Sequence, residues 1–128
     1  MKVVLAHGCF DILHYGHLVY LTEAKKHGNV LVVSVTADEY VNKGPERPVF
    51  TLRKRMEMLR ALRIVDRVIA SHAMTPENVI RQVRPDVYAK GIEYKGRLPE
   101  QAMLEAMGCK VIFTGGDVHS STALIAHV

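Results

Sequence analysis

The chain alternates between short, continuous apolar runs and longer stretches in which apolar residues recur at helical spacing. Residues 2–6 (KVVLA) and 30–35 (VLVVSV) are rich in β-branched side chains, as strands covered on both faces should be. Residues 65–70, 87–89 and 110–113 repeat that character. Helical patterns fill the gaps. Over residues 18–26, Leu18, Leu21 and Ala24 share one face, and Gly28 supplies a stop. Thr51 opens a helix with Met56, Leu59 and Leu62 on one side. Thr75-Pro76-Glu77 has the form of a helix start: a capping hydroxyl, a proline in the first turn, then an acid. Residues 99–107 predict a further helix stopped by Gly108, and residues 120–126 a last one.

Strand and helix alternating throughout predict an α/β fold. Its expected form is a Rossmann-like, doubly wound, five-stranded parallel sheet with helices on both faces. No repeat, linker or low-complexity segment interrupts the pattern, so residues 1–128 are expected to form a single domain. Ligands of such sheets bind at the carboxyl ends of the strands. That rule gathers His7-Gly8, Lys90-Gly91 and the turn at residues 114–117.

Composition narrows the partners. With 48% hydrophobic and 23% charged residues the chain reads as an ordinary globular protein. No apolar run is long enough to span a bilayer, and residues 1–8 read as a strand rather than a signal peptide. A cytoplasmic location without membrane contact is therefore expected. Cys9 and Cys109 are too few for a disulfide framework and are expected as small buried hydrophobes. The formal net charge of +4 suits an anionic ligand. An aromatic content of 6% and the lack of an RNA-recognition motif argue against nucleic acid.

The chemistry concentrates in GCFDILHYGH, Gly8 to His17. Several readings are open for its histidines. Zinc would need a third ligand such as His7 or Asp11, and the chain has no HExxH or CxxC. A structural reading has the imidazoles capping the helix start. A nucleophile reading finds no GxSxG elbow and no evident base for Cys9. GxxxxGK[ST] is absent, and so is GxGxxG after the first strand. In a phosphate reading, Gly8 lets the backbone approach an anion, the helix amides face it, and two imidazoles donate to a phosphoryl group.

GCFDILHYGH resembles the GxFDxxHxGH signature of the cytidylyltransferase-like nucleotidyltransferases. SVTADEY, KGPERPV, RKRMEML, VYAKGIEY and HSSTALI extend the likeness over essentially the whole chain. The resemblance implies attack by a phosphorylated acceptor on the α-phosphorus of a nucleoside triphosphate, with pyrophosphate leaving. It implies Mg²⁺ bound with the triphosphate, no protein-held metal, and a homodimer. His14, His17 and Lys43 would be catalytic, the histidines on the α-phosphate and the lysine on the triphosphate. Gly8, Cys9, Phe10, Gly16, Lys90 and Gly91 would bind the nucleotide, joined by Ser120, Ser121 and Thr122, whose hydroxyls and helix-start amides face the β- and γ-phosphates. Asp11, Asp38, Arg55, Glu93 and Tyr94 would meet the acceptor, Arg55 through its phosphate. Asp11 has a turn-stabilising alternative. Lys43 can also be a solvated loop lysine, and the Ser-Ser-Thr cluster a plain cap.

Two subgroups compete. Glycerol-phosphate cytidylyltransferases carry GDDW after the fourth strand and RTEGISTT before the last helix; here Gly115 stands at the arginine of that pattern. AKGIEY is closer to the VKGGDY of the adenylyltransferase domain that makes ADP-heptose, matching Lys90 and Tyr94. This favours ATP and a heptose 1-phosphate-like acceptor over CTP and glycerol 3-phosphate. Ile92 and His119 depart from both patterns and leave the acceptor open. No stretch remains for the sugar kinase domain of the bifunctional heptose enzymes, so a separate kinase is an expected partner. A non-catalytic nucleotide-binding regulator is the alternative from another class.

Overall fold

The computed structural model describes residues 1–115. The expected last helix, with His119, Ser120, Ser121 and Thr122, lies outside them. Five strands form one parallel sheet: β1 (Val3–Gly8), β2 (Val30–Thr36), β3 (Arg67–Ser71), β4 (Val87–Gly91) and β5 (Lys110–Thr114). Their order is β3-β2-β1-β4-β5. The direction of winding reverses at β1, so the crevice of a doubly wound sheet opens between β1 and β4.

Alternation along each strand divides the core. Val4, Ala6, Leu31, Val33, Val35 and Ala89 face one side, under α1 (Tyr15–Lys25) and α2 (Leu52–Arg60). Leu5, Val32 and Tyr88 face the other, under α3 (Glu77–Val83) and α4 (Gln101–Ala106). Helices thus cover both faces, as the continuous apolar runs demand.

The elements follow the pattern with shifted edges. Thr51 caps α2, accepting the Lys54 amide, and Leu59 is fully buried with Met56 and Leu62 packed against its cluster. α1 begins at Tyr15, a turn before the apolar face, because His14 caps it; of that face Leu21 and Ala24 are buried, whereas Leu18 is exposed. Thr75 does not cap α3: Pro76 holds that place, with no side-chain bond. Cys109 is buried as expected, whereas Cys9 is only half-buried. No helix among the described residues is long and apolar enough to cross a membrane.

Candidate active site

A cavity of about 410 Å³ opens at the carboxyl ends of β1, β4 and β5. Its floor is the Gly8-Cys9-Phe10 turn and its walls are α1, the Lys43 loop and residues 90–94. Of the expected site residues, Gly8, Cys9, Phe10, Gly16, His17 and Lys43 line one part. Lys90, Gly91, Glu93 and Tyr94 line the other, together with Ile92.

The histidines cap the start of α1. The Nδ1 of His14 accepts the Gly16 amide at 3.1 Å, and the His14 amide donates to His17 Nδ1 at 3.3 Å. This is a reciprocal capping box built from imidazoles, satisfying backbone donors that a helix start leaves free. An imidazole that accepts at Nδ1 and is neutral carries its proton on Nε2. Both rings, stacked 3.9 Å apart, therefore turn an Nε2–H away from the helix. Burial, then the charge of Lys43, holds His14 below its ordinary pKa. Burial, then His14 and Lys43, brings His17 down to about 4. Near neutral pH the pair presents uncharged donors with fixed tautomers. The capping reading of the motif uses Nδ1 of each ring and leaves Nε2 without a role in the cap.

Phe10 supports this arrangement. Its backbone sits in the left-handed region at φ 51°, and its buried ring lies 5.4 Å from that of His17. A non-glycine residue held there stores strain of a kind concentrated at functional sites. Gly8 makes room: a Cβ on it would meet the Phe10 ring at 2.9 Å.

Three expected acceptor contacts have other work. Asp11 is buried and accepts Arg47 Nε at 2.6 Å and the Val49 and Phe50 amides at 2.8 and 2.9 Å. Burial alone would raise its pKa; the bonds from Phe50, Val49 and Arg47 outweigh it and keep the carboxylate below its usual range. Asp11 therefore fixes the approach to α2. Arg55 is fully buried, and its guanidinium donates to the carbonyls of Phe50, Cys9 and Thr36 and to Asp38 at 2.5 Å. It is a strut under the Cys9 turn, away from the cavity. Asp38 is its counter-ion.

On the opposite wall, Lys90 Nζ donates to the His7 carbonyl at 3.2 Å and lies 4.7 Å from the centre of the Tyr94 ring. Burial lowers its pKa, while Glu100 and Glu93 act to raise it. The Glu93 carboxylate lies over Gly91, where a Cβ would meet it at 2.5 Å. His7 and Tyr20 also line the cavity and were not singled out as phosphate or nucleotide ligands from the sequence. His7 Nδ1 bonds Ser34 Oγ at 2.8 Å, and burial, then Lys90, brings its pKa down to about 3. Its position at the end of the first strand was the available signal. Among the described residues no three His, Cys, Asp or Glu side chains gather as a metal site.

The sequence model of the cytidylyltransferase-like family matches residues 5–124. The chain belongs to that family. Cytidylyltransferase-like relatives include the bifunctional protein HldE of Haemophilus ducreyi, 44% identical over 90% of this chain and 23% of that protein. HldE of Streptomyces coelicolor is 45% identical over 97% of this chain and 28% of its own length. The chain thus spans about a quarter of these curated relatives. Among solved structures, a lipopolysaccharide core biosynthesis protein from Thermoplasma volcanium is 34% identical, with a TM-score of 0.74 over 88% of this chain and 93% of that one. A pantoate-β-alanine ligase from Francisella tularensis, 14% identical with a TM-score of 0.65 over 88% of this chain and 58% of that one, shares the fold.

Proposed function

We propose that this cytidylyltransferase-like domain transfers an adenylyl group from ATP to a heptose 1-phosphate-like sugar phosphate, releasing pyrophosphate. The observation that carries the reading is the imidazole capping box, which leaves a neutral Nε2–H donor on His17 at a cavity that Lys43 also lines, with the His14 ring stacked beside it at 3.9 Å. The likeness of AKGIEY to the ADP-heptose-forming domain, and the similarity to HldE proteins and to a lipopolysaccharide core biosynthesis protein, support the sugar and the nucleotide.

In this reading an oxygen of the acceptor phosphate attacks the α-phosphorus as the bond to the β-phosphate bridging oxygen breaks. Charge grows on the α-phosphate oxygens, and His14 and His17 donate to them without giving up a proton. Lys43 holds the departing phosphates, and the Ser120, Ser121 and Thr122 hydroxyls are proposed to hold them from the other side. Lys90 and Gly91 receive the nucleotide, while Glu93 and Tyr94 face the acceptor. Such catalysis rests on position and electrostatics, with no covalent enzyme intermediate.

Glu93 is the carboxylate lining the cavity among the described residues. One carboxylate suits a Mg²⁺ ion that arrives on the triphosphate rather than one caged by protein. Bound there, the ion would neutralise phosphate charge. A cytoplasmic homodimer, fed with sugar phosphate by a kinase, completes the proposal; sedimentation reads the dimer.

The test is pyrophosphate release from ATP or CTP with a panel of sugar 1-phosphates and glycerol 3-phosphate. ATP with a heptose-type 1-phosphate should be the fastest pair. Faster turnover of CTP with glycerol 3-phosphate would overturn the substrate assignment, and nucleotide binding without turnover on any acceptor would favour a regulatory module.

A further inference from the structure

α1 ties the histidine pair to the ends of two strands that border the cavity. Its N-cap is His14, and its first turn carries His17. One turn on, Tyr20 donates its hydroxyl to the Ala89 carbonyl at 2.7 Å, next to Lys90-Gly91. Another turn on, the Glu23 carboxylate accepts the Gly115 amide at 2.7 Å, at the end of β5. Successive members of the series are helical neighbours, so a single rigid element links the histidines to the ends of β4 and β5.

We infer that Tyr20 is a positioning residue that sets the distance between the histidine donors and the nucleotide-binding end of β4. Its ring also stacks on Phe10, with centroids 6.4 Å apart and planes 13° apart, and Phe10 in turn abuts His17. The phenol therefore joins the two halves of the cavity by a hydrogen bond on one side and a ring contact on the other. Burial holds its pKa above the ordinary value, so the hydroxyl stays a donor throughout the working pH range. The inference rests on the proposed nucleotidyl transfer and adds a residue to it.

The consequence is kinetic. In the ground state, the base and the phosphates each find their contacts with some slack. In the transition state the α-phosphorus must meet the histidines while the nucleoside stays seated on β4, so an interaction that fixes the spacing acts mainly on kcat.

The experiment compares Tyr20→Phe with wild type in pyrophosphate release from ATP and in calorimetric binding of ATP. Phenylalanine keeps the ring on Phe10 and removes the hydroxyl alone. The expected result is a fall in kcat of about tenfold, with KM and Kd for ATP within about twofold, for loss of one hydrogen bond that matters only in the transition state. Tyr20→Leu, which removes the ring as well, should lower kcat further. Unchanged kcat in folded Tyr20→Phe, or a rise in KM alone, overturns the inference while leaving the proposed function standing. Wild-type protein that binds ATP but turns over no acceptor overturns both.

Discussion

Replacing His14 separates its two roles. Alanine removes the Nδ1 acceptor that caps α1 and the Nε2–H that the proposed mechanism aims at the α-phosphate. Asparagine, among the best N-cap residues, restores an acceptor for the Gly16 amide but offers no donor at the Nε2 position. Loss of a side-chain cap costs about 1 kcal/mol, which for a domain of this size lowers the unfolding temperature by about 4 °C. His14→Ala should show that shift; His14→Asn should unfold within about 1 °C of wild type. Activity should follow the other role. Removing one preorganised donor to a transition-state oxyanion costs about 10²–10³ in kcat. Both variants should lose that much in pyrophosphate release. His14→Asn with activity within threefold of wild type would show that the imidazole is a cap and nothing more. His14→Ala as stable as wild type would refute the capping geometry instead.

Further outcomes follow from the same contacts. His7 and His17, at about 3 and about 4 in the fold, lie below an unfolded value of 6.5, so the unfolded chain binds protons first as pH falls. Stability should be level above about pH 6.5 and decline below it, with His7 alone removing about 2 kcal/mol by pH 5; urea midpoints from pH 5 to 8 read this, and a flat profile would contradict it. Asp11, held low in the fold, contributes stability above the ordinary carboxylate pKa and loses it only as pH falls through its lower folded value. Arg55→Met should cost about 3 kcal/mol or more in chemical denaturation, because it strands the carbonyls of Cys9, Thr36 and Phe50 and leaves Asp38 without its cation; a neutral substitution would contradict its role as a strut. Gly91→Ala should leave the melting temperature nearly unchanged, since the Glu93 side chain can swing outward, yet raise KM for the acceptor, as Glu93→Gln should too. Equal acceptor KM in wild type and Gly91→Ala would remove Glu93 from that role.

The sheet was legible because buried parallel strands must be apolar on both faces, and VLVVSV sets four valines and a leucine among six residues. The place of the site followed from the ends of those strands. What each polar group does there was harder to read. Histidine is not a usual N-cap, and although capping was one of the open readings, nothing local showed that His14 and His17 would each spend one nitrogen on the helix start and keep the other free. Asp11 and Arg55 sit in the stretches a phosphate reading marks, but their partners lie up to 39 and 46 residues away in sequence. Only the folded chain reveals that those partners consume them. Tyr20 reads as one more residue of an amphipathic helix until its hydroxyl is seen on a strand 69 residues further on.

The most direct measurement is the phosphorus NMR spectrum of the chain incubated with ATP, Mg²⁺ and a heptose 1-phosphate. Nucleotidyl transfer predicts free pyrophosphate and, in equal amount, a new pair of coupled signals from the diphosphate bridge of an adenylyl-sugar, both appearing about 10²–10³-fold more slowly in His14→Asn. Orthophosphate and ADP as the products, or a spectrum that does not change, would contradict it.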